Sequence, residues 1–286
     1  MPELPEVETI ARQLREGRTD RATGLAVPPL VGRTILATRV YWAREISGMA
    51  SRTFERRTRL QQVRAVSRHG KYLIITLEST SSPPVVTGAP AFMLVHLRMS
   101  GRLDIVPNAE AQTKHARVVW QLDEGWSLRF DDARKFGRVY LVDAPARVTG
   151  KIGPDALQIT AQDFTPRLRQ KRGALKPILL DQTFIAGVGN IYADEALFLA
   201  GLHPQRAAGT LSDEDTGRLF AAIRQVLQRG IDASGASFDW VYPGGSYQNQ
   251  FLVYGRAGEP CIHCGQPITR IVVGQRGTHL CEHCQK

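Results

Sequence analysis

Residues 261–284 read CIHCGQPITRIVVGQRGTHLCEHC. Two Cys-x-x-Cys pairs, Cys261/Cys264 and Cys281/Cys284, stand sixteen residues apart, the spacing of a structural zinc site. Four thiolates complete a tetrahedral zinc and leave no coordination position open, so one Zn2+ is expected to fold this segment and not to catalyse. The alternative is two reducible disulfides or unligated thiols. The segments ITRIVV and THLC flank Gly274-Gln275-Arg276-Gly277 and predict a β-hairpin with an arginine at its tip. That core is too small to stand without metal. On an isolated ribbon Arg276 would be an ordinary solvated turn residue; on a basic protein it is also a good phosphate or minor-groove probe.

The rest of the chain sets the context. It has 286 residues, 37 Lys plus Arg against 27 Asp plus Glu, and a formal net charge of +10. The length predicts about two domains, and the basic surplus favours a polyanionic partner over a neutral one. No apolar run approaches the roughly 18 residues of a membrane span, so no membrane association is expected. The acidic, proline-rich start lacks a basic region followed by an apolar one, so no signal peptide is expected and the location predicted is cytoplasmic. All four cysteines fall in the last 26 residues, which in a reducing compartment points to metal.

Upstream, Val7, Ile10, Ala11 and Leu14 recur at helical spacing, with Pro5 suited to a first helical position and Gly17 to a stop. Strand-like segments then follow at 34–42, 60–66, 72–77, 92–99, 116–122, 126–130 and 139–142, with Asp123-Glu124-Gly125 as a hairpin turn. Residues 79–90, STSSPPVVTGAP, predict a loop. This is an N-terminal β-sandwich led by one helix. After about residue 150 the pattern turns helical: ALKPILLD, the glycine turn GVGN with IYADEALFLAG behind it, and a longer helix capped by Ser212-Asp213-Glu214-Asp215.

The opening MPELPEVETI carries its own chemistry. A small second residue lets the initiator methionine be removed, which would make Pro2 a secondary amine at the chain end. An α-amino group has a pKa of about 8 against about 10.4 for lysine, so more of it is neutral and nucleophilic. A secondary amine condenses with an aldehyde to a cationic iminium, an electron sink for elimination from the adjacent carbon. Glu3 would stand beside it as a proton donor or shuttle. Ordinary helix capping explains the same ten residues without catalysis.

Taken together, MPELPEVET, HGKYLIITL, HLRMSG, DARKFG, GVGNIYADEALF, VYGRAGEPC and the four-cysteine ribbon resemble the bacterial formamidopyrimidine-DNA glycosylases, from Met1 to Lys286 and in the family's order. The resemblance implies an α+β multidomain fold: an N-terminal β-sandwich domain (1–145), a helix–two-turns–helix domain (146–245) and a zinc ribbon (246–286), with DNA in a cleft. It implies a monomer acting on damaged double-stranded DNA, nucleoid-associated through that DNA. The activity implied is removal of oxidised purines, 8-oxoguanine and formamidopyrimidines, followed by β- and δ-elimination at the abasic site.

The resemblance also assigns roles. Pro2 would be the nucleophile, Glu3 the proton-transfer group, Lys71 a phosphate contact that helps elimination, and Arg276 a phosphate contact assigned to δ-elimination. Met99, Arg134 and Phe136 would fill the hole left by a flipped base. His96, His115 and Asn190 would hold phosphate, and Arg172 and Lys176 lie in a segment touching the lesion strand. Without the resemblance, Lys71 reads as a surface lysine, Met99 and Phe136 as core, and the 172–176 region as a solvated basic run. Two alternatives are weighed: the sister group that prefers oxidised pyrimidines, against which Leu4 argues because that group commonly has glycine there, and a non-catalytic zinc-ribbon DNA-binding protein. The segment 235–253, which covers the extruded base in the family, is shorter than in the best-known members.

Overall fold

A computed structural model describes residues 1–20, 23–80, 92–237 and 244–286. The 79–90 loop falls largely outside these residues, as does the middle of the 235–253 segment. The chain divides into two compact units. The first lies within residues 1–2 and 7–151; the second takes residues 3–6, 152–237 and 244–286. No helix among the described residues is long and apolar enough to cross a membrane.

In the first unit, α1 (Leu4–Glu16) is followed by the short pair β1 (Arg18–Thr19) and β2 (Ala26–Val27), then β3 (Thr34–Val40), β4 (Ile46–Ser47) and α2 (Ser51–Thr58). The strands β5 (Gln61–His69), β6 (Tyr72–Ser79), β7 (Phe92–His96), β8 (Gly101–Pro107), β9 (Ala116–Leu122), β10 (Trp126–Asp132) and β11 (Arg138–Val142) complete it, with α3 (Ala146–Thr149) at its end. Nine of these strands hydrogen-bond in the order β4-β11-β7-β6-β5-β3-β9-β10-β8. Side chains from both ends of that series, Val139 and Leu103 among them, share one core with Val7, Ile10, Ala11 and Leu14 of α1. A single ladder whose ends meet over one core is a sheet folded on itself, which is the sandwich the alternation predicts.

The sequence reading did not give every element, and β8 and α2 show why. β8 hides behind the HLRMSG motif, although Leu103 and Ile105 alternate inward. α2, SRTFERRT, buries only Phe54 and Thr58, so it has no apolar stripe to read. The turn at Asp123–Gly125 forms as expected, with Glu124 and Gly125 both at positive φ.

The second unit holds α4 (Ala161–Arg169), α5 (Leu175–Leu180), α6 (Asn190–Ala200) and α7 (Asp213–Asp232). α6 is buried nearly all round and lies at the centre of the helical core with Phe164, Leu179, Leu219, Ile223 and Leu227. α7 starts in a full capping box, Ser212 accepting from Asp215 N and Asp215 reaching back to Ser212 N. β12 (Thr269–Val273) and β13 (Arg276–Leu280) form the C-terminal hairpin. Its turn is Gly274-Gln275, both at positive φ, so Arg276 is the first residue of the returning strand and pairs with Val273.

Candidate active site and metal centre

The first turn of α1 belongs to the second unit, and its geometry explains the spelling PELPE. Glu3 is the residue before the helix, and its N–H donates to Glu6 Oε2 (2.8 Å), which is half of a capping box. Pro5 therefore sits second in the helix, one place later than predicted, where its missing N–H costs nothing. Glu6 Oε1 accepts from Tyr192 Oη (2.9 Å) and Ala236 N (2.7 Å). Glu3, buried, accepts from Ile191 N (3.1 Å) at the start of α6, where the helix dipole favours a carboxylate. Gly189 leaves room for it: a Cβ there would lie 2.2 Å from Glu3 Cδ. Gly187, at φ +111°, does the same for Leu4, whose Cδ1 would be 2.4 Å from an added Cβ. GVG is thus shaped by the side chains of residues 3 and 4. Pro2 is buried, and Met1 is exposed.

In the first unit, Lys71 lies in the turn between β5 and β6 and is only 6% exposed. Arg68 fixes that turn, donating to Gly70 O (3.0 Å) and pairing with Glu8 of α1 (3.0 Å). Burial raises the Glu8 carboxyl, but Arg15 and Arg68 outweigh it and hold the pKa below the usual range. His96 packs edge-on against Tyr72 (4.5 Å), and its Nδ1 accepts from Arg98 N (3.0 Å). Burial, with Arg98 and Lys71 adding to it, pushes this imidazole down to about 3. His96 is therefore neutral at pH 7, with its proton on Nε2 as a donor.

Met99 and Phe136 are exposed apolar side chains, 40% and 47%, on two adjacent turns. The turns are tied together. Ser100 Oγ donates to Asp132 Oδ1, and Arg134 N donates to both Ser100 Oγ and Asp132 Oδ1 (3.1 Å each). Gly137 N closes on Asp132 Oδ2 (2.7 Å). Arg134 lies over the Phe136 ring at 5.0 Å. His115 joins the same group through its carbonyl, which accepts from Asp132 N (2.9 Å). The structure thus ties the turns that carry Met99, Arg134 and Phe136 together through the carboxylate of Asp132, and ties the His115 carbonyl to the backbone N–H of the same residue; the sequence did not single Asp132 out.

The four cysteine Sγ atoms lie within 4.8 Å of one another, and none is in a disulfide. The separations are 3.9 Å for Cys261–Cys284 and 3.5 Å for Cys264–Cys281. A tetrahedron with Zn–S of about 2.3 Å has an S–S edge of about 3.8 Å. The donor set and its geometry fit one structural metal of the zinc type. Without a metal charge the cluster is split: burial raises the Cys261 thiol, but the N–H groups of His263 and Cys264 outweigh it and bring it down, while burial and the neighbouring thiols push Cys281 and Cys284 up.

Asn190 opens α6 and donates to Gly277 O of the hairpin (3.1 Å); its amide also bonds the Tyr254 phenol. Arg276 is exposed, and the Arg270 guanidinium lies against Gly277, where a Cβ would be 2.9 Å from its Nη2. Asn190, Tyr254 and Arg270 therefore meet at Gly277 of the hairpin, the residue that follows Arg276. Tyr254 and Arg270 were missed. The only signal for them was the motif VYGR and a basic residue in a strand, neither of which shows proximity.

Lys176 is corrected by the structure. Its side chain is 0% exposed, and its ammonium pairs with Asp194 Oδ1 (2.6 Å) while donating to Thr278 Oγ1 (2.7 Å) and Gly277 O (3.0 Å). It cannot reach a DNA strand. It braces the hairpin against α6, where Asp194 also accepts from His279 N (2.9 Å). Arg172, four residues earlier, is exposed. Lys176→Met leaves the buried Asp194 carboxylate without its ammonium, with His279 left beside it, and is expected to cost about 3–5 kcal/mol, measured by denaturant unfolding. Lys176→Met with Asp194→Leu should recover part of that loss.

Three family models match in succession. One is described as the formamidopyrimidine-DNA glycosylase N-terminal domain (residues 1–139), one as its H2TH domain (152–240), and one as a zinc finger found in FPG and IleRS (258–286). The formamidopyrimidine-DNA glycosylase of Herpetosiphon aurantiacus is 41% identical over 294 residues, covering 100% of both chains. Among solved structures, Lactococcus lactis Fpg (MutM) in complex with N7-benzyl-Fapy-dG containing DNA is 32% identical, with a TM-score of 0.86 and 100% of both chains covered. The same organism's Fpg with abasic site containing DNA is 31% identical, with a TM-score of 0.85 and 99% of both chains covered.

Proposed function

Because the chain belongs to the formamidopyrimidine-DNA glycosylase family, whose members excise damaged bases from DNA, we propose that it is a bifunctional oxidised-purine glycosylase and abasic-site lyase. It works as a cytoplasmic monomer on duplex DNA carrying 8-oxoguanine or a formamidopyrimidine. The observation that carries this reading is the seat of Glu3. A buried carboxylate is held on the α6 N-terminus, with Gly189 cleared of any side chain to admit it, one residue from Pro2.

The steps follow from amine chemistry. With Met1 removed, the Pro2 nitrogen attacks the sugar C1′ and the C1′–N bond to the base breaks, the base leaving with a proton. Glu3 moves a proton to the ring oxygen as the sugar opens, giving the iminium. That cation withdraws electrons, a proton leaves C2′, and the 3′ phosphate departs. A second elimination releases the 5′ phosphate. Lys71 and the neutral His96 hold phosphate, the latter through its Nε2–H. Asn190, Tyr254, Arg270 and Arg276 hold backbone phosphates along the hairpin edge, with Arg276 serving δ-elimination; Arg172 and His115 add contacts. Met99, Arg134 and Phe136 enter the duplex where the flipped base was, and apolar wedges of this kind offset the few kcal/mol of unstacking. Cys261, Cys264, Cys281 and Cys284 would hold one zinc, which supplies folding free energy and no chemistry.

Borohydride trapping on duplex DNA with a single 8-oxoguanine tests the reading. The expected result is a covalent protein–DNA adduct, lost or strongly reduced in Pro2→Gly. No adduct from protein whose Met1 is shown by mass to be gone would overturn it, leaving a DNA-binding protein.

A further inference from the structure

Glu45 ends the 3-10 turn Ala43–Glu45 that follows Trp42 and packs on β11. Its side chain is 0% exposed, and neither carboxyl oxygen has a hydrogen-bond partner among the described residues. Buried polar atoms without partners are rare and call for a reason. The charged groups around this carboxyl supply one. They are Asp132 of β10, Arg117 of β9 and Arg138 of β11. On its own turn, Arg44 lies over the Trp42 ring at 6.0 Å, and Lys135 of the 132–137 loop lies over the same ring at 4.0 Å.

Both arginines near Glu45 are engaged with that loop. Arg117 Nε donates to Asp132 O (2.7 Å) at its start. Arg138 Nη1 donates to Gly137 O (2.6 Å) and Phe136 O (3.2 Å) at its end. The Asp132 carboxylate holds the middle through Ser100, Arg134 N and Gly137 N. A second carboxylate at Glu45 would repel Asp132 and compete with the loop carbonyls for both guanidiniums.

We propose that Glu45 is a positioning residue for the loop that presents Arg134 and Phe136: as a neutral acid it leaves Arg117 and Arg138 to clamp the loop's two ends, and as a carboxylate it draws them off. The proposal rests on the reading of that loop as the part that fills the duplex. Burial first, and Asp132 second, push the Glu45 carboxyl up to about 8. A raised carboxyl favours the protonated folded state. Its stabilisation is complete below about 4.5, the ordinary value, and is lost as pH rises through about 8. The loop is therefore held at neutral pH and loosened above it.

The test uses duplex DNA with a tetrahydrofuran abasic analogue opposite 2-aminopurine. No base is released there, so titration of the Pro2 amine does not enter through chemistry. The fluorescence change on binding at saturating protein reports insertion beside the orphan base. In wild type it is expected to fall by about half near pH 8 and by about nine-tenths at pH 9, while Glu45→Gln keeps its pH 7 amplitude throughout. Should Glu45→Gln not fold, Glu45→Leu serves as the non-titrating variant. A variant that follows the wild-type pH course, or a wild type flat from pH 7 to 9, overturns the role of Glu45. Arg134→Ala separates the two levels: if it leaves the amplitude at pH 7 unchanged, the loop reading itself has failed.

Discussion

Gly189→Ala is expected to slow release of 8-oxoguanine by about 10²–10⁴-fold, the range that a positioned proton-transfer group supplies, while the protein stays folded. The backbone at Gly189 is extended (φ −129°, ψ −161°), which any residue adopts, so the substitution brings no conformational strain. The whole effect is steric. The new methyl would meet Glu3 Cδ at 2.2 Å and both carboxylate oxygens at 2.5 Å. Glu3 must leave the N–H of Ile191, and with it the α6 N-terminus, or the chain before α1 must shift. Either moves Glu3 out of the place beside Pro2 where the proposed mechanism has it transfer a proton. Single-turnover base release measures the loss, and thermal unfolding measures the fold. Gly217→Ala is the control, because nothing lies within 4 Å of its Cβ and Ala is favoured in the α7 interior by about 0.5–1 kcal/mol. Release within about threefold of wild type in Gly189→Ala would show that the Glu3 seat has no catalytic weight.

Removing the metal should have the second large effect. The ribbon core comprises little more than Phe198, Val253, Ile268, Cys261 and Cys281, so the apolar burial is too small to fold it. Structural zinc contributes on the order of 10 kcal/mol to such modules. Chelation, or Cys281→Ser, is therefore expected to melt β12 and β13. The hairpin also caps the buried Lys176–Asp194 pair through Gly277 and Thr278, so melting would wet that pair and loosen α6. One zinc per chain should be found by elemental analysis. Its loss should remove hydrogen-exchange protection at residues 269–280 and weaken binding to abasic-analogue DNA by about 100-fold or more, because Arg270 and Arg276 lose their scaffold. A zinc-free protein that keeps both protection and affinity would contradict the role given to the ribbon.

What was legible in the sequence was local or set by spacing. Cys-x-x-Cys pairs sixteen residues apart specify a tetrahedral site because the ligand distances are short and the intervening chain is one hairpin. Ser212 and Asp215 mark a helix start because their bonds span three residues, and Val7, Ile10, Ala11 and Leu14 mark a buried face because helical geometry repeats. The motif order, taken as a resemblance, carried the family and with it the layered architecture.

The tertiary structure decided everything that depends on a partner far along the chain. Whether a lysine is a solvated phosphate ligand or a sealed ion pair is not written in RQKRGALK; for Lys176 it is settled by Asp194 and by Thr278, 102 residues away. That Gly189 matters for Glu3 is a contact across 186 positions, and no periodicity encodes it. Asp132 ties Ser100 and Arg134 into one support, and Glu45 lies buried near Arg117 and Arg138, which bond carbonyls at the two ends of that loop. Sequence pattern determines which residues can be inside or charged. Only the packed chain brings two such residues within hydrogen-bond distance, and the chemistry of this protein rests on those distances.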